Sequence, residues 1–180
     1  MLYALAVICA VIFLIADQLS KLYILNHFAL GQSEPFIKGV IDFTFIYNKG
    51  GAWGLMNGHT WLLLGMTIII MIVCVALLIK NGFRNKLLFW AISLILSGGI
   101  GNMIDRILRS GRVVDFIHLH FMPEFPVFNI ADCAVCIGAG LLLVYFVLDI
   151  IKDRNTQKQN ERIIKELQKN ANQQSAENDA

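Results

Sequence analysis

Trp61 to Ile79 reads WLLLGMTIIIMIVCVALLI, without a charged residue or a strongly polar group. A helix of about 20 apolar residues crosses a hydrocarbon core of about 30 Å, so this run predicts a transmembrane helix. Three further stretches are long and apolar enough to span or nearly span a bilayer: Leu2 to Leu25, Leu87 to Ile104 and Cys133 to Ile151. Composition agrees, because 57% of the 180 residues are hydrophobic, 16% are charged and the mean hydropathy is +0.63. Such values exclude an ordinary water-soluble globule. The expected fold class is an α-helical membrane protein with four transmembrane helices (about 2–25, 61–79, 87–104 and 133–151) and a small extracytoplasmic β element. We expect a membrane domain over 1–152 and a polar cytoplasmic tail over 153–180, disordered apart from a brief helix around Glu161 to Lys169.

Charge orients the helices. Lys80, Arg84 and Lys86 fill the turn between the second and third spans, and Lys152 and Arg154 follow the fourth. The positive-inside rule assigns both groups to the cytoplasm. An even number of spans then puts both termini there and the connections 26–60 and 105–132 outside. No Lys or Arg precedes the first apolar run and no small-residue cleavage pattern follows it, so it reads as a retained helix. Arg106, Arg109 and Arg112 run against the charge rule and call for a structural or binding role. The net charge of +2 comes with scattered basic residues, which gives no sign of a nucleic-acid partner.

The polar residues gather towards the outer ends of these spans. Asp17 and Lys21 form an i,i+4 pair within the first helix, read as a structural ion pair. Val40 to Tyr47 is rich in β-branched and aromatic residues and predicts a strand, ending in Asn48-Lys49-Gly50-Gly51-Ala52-Trp53-Gly54. Gly98, Asn102 and Arg106 repeat at i, i+4 and i+8 along one helical face. Glycine there permits close packing, whereas an amide and a guanidinium on the same stripe suggest a held ligand. Asp115 lies on a second strand-like run and Asp132 opens the fourth helix, three residues after Asn129, its expected N-cap. Pro123-Glu124-Phe125-Pro126 lies between them, so a hairpin would bring the two carboxylates together. Two carboxylates in a partly dry site cannot both ionise easily, and such a dyad can divide the proton transfers of peptide hydrolysis. Read alone, Asp132 is more a helix-start acid than a catalyst.

Three other chemistries compete. Cys133 and Cys136 have the C-x-x-C spacing of a thiol redox centre, so a four-helix membrane thiol-disulfide oxidoreductase is the alternative function. Cys9 and Cys74 lie inside apolar helices, where they offer no shuttling pair. His118 and His120 alternate onto one side of a strand without a third nearby ligand, and no metal site is assigned. A transporter would carry charges along a path across the membrane, whereas these charges collect at one face.

Five blocks together resemble a known family. Asp17-Gln18-x-x-Lys21, Asn48-x-Gly50-x-Ala52-Trp53, Gly98-x-x-Gly101-Asn102-x-x-Asp105-Arg106, Val113-Val114-Asp115-Phe116 and Phe128-Asn129-Ile130-Ala131-Asp132 occur in the order found in lipoprotein signal peptidases, the integral-membrane aspartyl peptidases called signal peptidase II. The resemblance covers about residues 10 to 150, with Ser97-Gly98-Gly99 standing where Gly-Gly-Ala is usual. It implies Asp115 and Asp132 as the catalytic dyad, with Asn48, Gly50, Ala52, Gly98, Asn102, Arg106 and Asn129 shaping the site and holding substrate. It further implies removal of signal peptides from diacylglyceryl-modified prolipoproteins, before the lipidated cysteine, at the extracytoplasmic face of the bacterial cytoplasmic membrane. No metal or organic cofactor is implied. The expected partners are lipid-modified prolipoproteins and membrane phospholipid, and the expected state is a monomer.

Overall fold

Long apolar runs satisfy their backbone internally as helices, and asparagine side chains cap the starts of the last two long ones. The computed structural model describes residues 1–51, 56 and 59–178. It contains α1 (Leu2–His27), α2 (Thr60–Asn81), α3 (Lys86–Leu108) and α4 (Ile130–Asn178). Among the described residues these four helices are long and apolar enough to cross a membrane. A 3-10 turn over Gly82–Arg84 joins α2 to α3, and the Asn85 side chain caps α3 by accepting the amide hydrogens of Leu87 and Leu88. The Tyr3 hydroxyl donates to Phe83 O at 2.9 Å, so α1 begins at the same end as this turn.

α3 is the central helix, packed against α1 and α2 and buried at Leu88, Ala91, Ile92, Gly98, Gly101 and Asp105. Two glycines let α4 come equally close. A Cβ on Gly98 would lie 2.2 Å from Ala131 O, and one on Gly138 would lie 2.7 Å from Ala91 O. Without side chains at these points the backbones touch, and many small dispersion contacts replace lipid. Gly138 of α4 therefore packs on Ala91 and Ile95 of α3.

Between the helices lies a three-stranded antiparallel sheet in the order β1 (Ser33–Ile37), β2 (Ile41–Asn48), β3 (Val113–Leu119). Its inner face packs Phe45, Val114 and Phe116 on Ile24, which fixes the sheet to the last turns of α1. The predicted strand over Val40 to Tyr47 is β2. β1 was not anticipated, because it contains Pro35 and is exposed throughout; an edge strand tolerates both features.

Three expectations are corrected. The hairpin between Val113 and Asp132 reduces to a single bridge, Ile117 to Phe128, and β3 takes β2 as its main partner. Pro126 lacks an amide hydrogen and Asn129 already begins the helix, so the return arm is too short for a ladder. α4 starts at Ile130 rather than Cys133. Its polar continuation, expected to be disordered, is helical to Asn178. After Gly140 the sequence has neither Gly nor Pro and is rich in Lys, Gln and Glu, which all propagate a helix well. The chain divides into two compact units, Met1–Leu142 and Leu143–Ala180, with the division inside α4. The candidate site lies wholly within the first unit.

Candidate active site

Antiparallel pairing delivers the first carboxylate. Asn48 faces Val113 across the β2–β3 ladder and Asp115 faces Ile46, so Asn48 and Asp115 are diagonal neighbours on one face. The Asn48 amide donates to Asp115 Oδ2 at 2.8 Å and to Gly51 O at 3.2 Å. Asn48 Oδ1 in turn accepts the Gly50 amide hydrogen at 2.9 Å, so this one residue ties the loop after β2 to the carboxylate.

Helix capping delivers the second. Asn129 is the N-cap of α4: its Oδ1 accepts the Asp132 amide hydrogen at 2.9 Å, while Asp132 Oδ2 accepts the Asn129 amide hydrogen at 3.1 Å. This reciprocal box satisfies two orphan donors at the helix start and leaves Asp132 Oδ1 free to face inward. There it accepts from Asn102 Nδ2 at 2.8 Å.

The same asparagines join the two aspartates. Asn129 Nδ2 donates to Asp115 Oδ1 at 2.6 Å and reaches Asn102 Oδ1 at 3.1 Å, so the path Asp115, Asn129, Asn102, Asp132 is continuous. Asp115 and Asn129 are buried. Burial pushes the Asp115 carboxyl up to about 7, and the neighbouring Asp132 acts in the same direction. Donors from Asn48 and Asn129 and the charge of Lys21 favour the ionised form and only partly offset burial.

Below the asparagines lies a buried ionic cluster. Lys21 Nζ contacts Asp17 Oδ2 at 2.8 Å, Asp105 Oδ2 at 3.1 Å and Asn102 Oδ1 at 3.0 Å. Asp17 Oδ1 accepts the Ala131 amide hydrogen at 2.9 Å, Asp105 accepts from Val114 N at 3.0 Å, and Arg109 pairs with Asp105. The predicted Asp17–Lys21 pair is thus half of a cluster with two cations and two carboxylates. Asp105 entered the sequence reading only as a member of the third motif block, with no role assigned; its i,i+4 spacing to Arg109 was the available signal. Arg112 lies 4.5 Å from the centre of the Tyr47 ring, which with Arg109 accounts for two of the three arginines that broke the charge rule.

A cavity of about 460 Å³ opens onto these groups. Asn48, Gly51, Asn102, Arg106, Asp115 and Asp132 form its polar wall, and Leu119, Phe125, Val127, Phe128 and Val135 are among its apolar lining. Arg106 Nε is buried without a hydrogen-bond partner among the described residues. Of the site residues expected from sequence, Asn48, Asn102, Arg106, Asp115 and Asp132 meet at the cavity, and Asn129 lies directly behind the carboxylates. Gly98 instead packs on Ala131, Gly50 acts through the loop, and Ala52 lies outside the described residues. Cys133 and Cys136 are free thiols on the cavity wall. His120 pairs with Asp42 at 2.9 Å, and His118 lies across the ladder from Asp42. Among the described residues no group of three His, Cys, Asp or Glu side chains is arranged to hold a metal ion.

A family profile described as signal peptidase (SPase) II matches residues 9–148. The chain belongs to the signal peptidase II family. Among curated relatives, the lipoprotein signal peptidase of Halalkalibacterium halodurans is 38% identical over 143 residues, 79% of this chain and 91% of that protein. The lipoprotein signal peptidase of Bacillus pumilus is 41% identical, over 79% of this chain and 92% of that protein. A solved bacterial membrane enzyme superposes with TM-score 0.76 at 36% identity, covering 82% of this chain and 90% of its own. A second gives TM-score 0.72 at 37% identity, over 79% and 92%. Membership of the signal peptidase II family makes the chain a membrane aspartic peptidase of lipoprotein processing, and the thiol-disulfide alternative is not favoured.

Proposed function

We propose that Asp115 and Asp132 are the catalytic dyad with which this signal peptidase II removes signal peptides from diacylglyceryl-modified prolipoproteins, cleaving before the lipidated cysteine. The observation that carries the reading is the single cavity onto which both carboxylates open while one asparagine pair links them. Asp115, whose carboxyl titrates near 7, holds the proton. Asp132, at the positive end of the α4 dipole, is the base.

Ionised Asp132 takes a proton from water as the oxygen attacks the scissile carbonyl, while Asp115 gives its proton to the carbonyl oxygen. Collapse of the tetrahedral intermediate returns a proton to the departing amine and frees both products. This sequence consumes one water and calls on no metal or organic cofactor. Arg106, which lines the cavity and whose Nε–H has no partner among the described residues, holds a substrate carbonyl or ester oxygen, and the apolar wall receives acyl chain or signal-helix side chains. Asn48, Asn102 and Asn129 hold the carboxylates, Gly50 shapes the loop beside them and Gly98 sets the α3–α4 distance; Ala52 is assigned to the site by the family resemblance alone.

The site faces outward in the bacterial cytoplasmic membrane, with both termini in the cytoplasm and phospholipid around the helices. In this reading the enzyme acts as a monomer. Cleavage of a diacylglyceryl-modified precursor by purified Asp115→Asn and Asp132→Asn is expected to fall at least about a thousandfold, as when one member of a catalytic pair is lost. Normal processing by either variant would remove the dyad. A reporter fused after residue 121 is expected outside the cytoplasm, and a cytoplasmic signal would reverse the orientation.

A further inference from the structure

Asn102 is chemically two-ended, and its direction matters. Its Nδ2 faces Asp132 Oδ1 at 2.8 Å while its Oδ1 faces the Lys21 ammonium at 3.0 Å and Asn129 Nδ2 at 3.1 Å. Turning the amide over would set an oxygen against a carboxylate and an NH₂ group against an ammonium, unfavourable at both ends. Lys21 offers donors only, so it admits one orientation. It is fully buried and fixed on its far side by Asp17 and Asp105. The preference passes onward, because Asn102 Oδ1 oriented this way accepts from the Asn129 amide that also donates to Asp115.

We propose that Lys21 is a positioning residue for catalysis: through Asn102 it fixes which end of each asparagine faces the two aspartates, beyond its part in the ion cluster that holds α1 to α3. The inference rests on the dyad reading. Asp17 and Asp105 would by themselves make an adequate buried partner for a purely structural cation. What a structural role leaves unexplained is the third contact, in which the ammonium, besides its two carboxylates, reaches the side-chain amide that donates to Asp132 Oδ1.

The test is a double-mutant cycle between Lys21→Met and Asn102→Ala, measuring kcat and KM on a diacylglyceryl-modified precursor beside the thermal midpoint in detergent. Lys21→Met is expected to lower kcat roughly ten- to a hundredfold with little change in KM, the size seen when a supporting hydrogen bond is removed. In the Asn102→Ala background the same change should cost no further kcat, since the route is already cut. Losses that multiply would overturn the proposal, because a structural contribution lowers both backgrounds alike. Should Lys21→Met fail to fold, Lys21→Met with Asp17→Asn removes a cation together with a carboxylate and leaves Asp105 its Arg109 partner. Wild-type kcat in that folded variant would also overturn it. Asp132→Asn, run alongside, separates the two readings. If Asp132→Asn stays active the dyad itself fails, whereas an inactive Asp132→Asn with multiplying losses sinks only the role of Lys21.

Discussion

At the scale of single residues, Asp115 decides the pH behaviour. Its carboxyl ionises near 7 in the folded protein, mainly because it is buried, against about 4 in an unfolded chain. The sign follows directly: the folded state binds the extra proton between these values. The stabilisation is therefore complete below about pH 4 and is lost as pH rises through about 7. Activity should follow the same proton, with kcat/KM falling about tenfold per pH unit above 7 in a pH–rate profile. Asn48 donates to the ionised form, so Asn48→Ala is expected to move that alkaline limb to higher pH. A limb that moves lower, or stays in place, would contradict the assignment of Asp115 as the proton holder.

At the scale of elements, the site depends on how closely helices approach. Gly98 lies against the Ala131 carbonyl, and Ala131 is the neighbour of Asp132, so any displacement there is felt at the dyad. Gly98→Ala places a methyl where backbone already stands and is expected to cost about 1–3 kcal/mol, the usual range for overpacking, and to reduce cleavage as well. Gly140, in the same helix α4, has nothing within 4 Å of its added Cβ. Gly140→Ala should be neutral or stabilising by about 0.5–1 kcal/mol, as for an unobstructed helical glycine. Thermal unfolding of the two variants in one detergent checks the contrast. Both glycines are plain in the sequence, and only the packed helices distinguish them.

At the scale of the whole molecule, the cavity residues run from Asn48 to Cys136, all within the first unit, Met1–Leu142. We therefore propose that residues 1–152 carry the full peptidase. A chain ending at Lys152 should insert in the membrane and cleave a lipid-modified precursor at the wild-type rate, and loss of activity with normal insertion would give the tail a catalytic role. The buried cluster works at this scale too, because it joins α1 to α3 through Lys21 and Asp105 and α1 to the start of α4 through Asp17 and Ala131 N. A neutral cluster of two cations and two carboxylates is tolerable away from water, whereas losing one member leaves a buried unpaired charge.

The sequence by itself determined the four spans, since the length and purity of an apolar run are local properties that the bilayer reads directly. It also determined the β2 strand and the Asn129 cap and, through five spaced blocks, singled out the two aspartates proposed as the dyad. It could not tell a packing glycine from a site glycine, and it offered a Pro-centred hairpin where β3 pairs with β2 instead. Nor did it reveal that Lys21 reaches Asn102, or that Asn129 spans from Asp132 to Asp115. These contacts join residues far apart in the chain, and they exist only because the glycine faces let α3 and α4 close to backbone contact around α1. A hydrogen bond is decided within a few tenths of an ångström, and that precision comes from helix packing, which local sequence patterns do not encode.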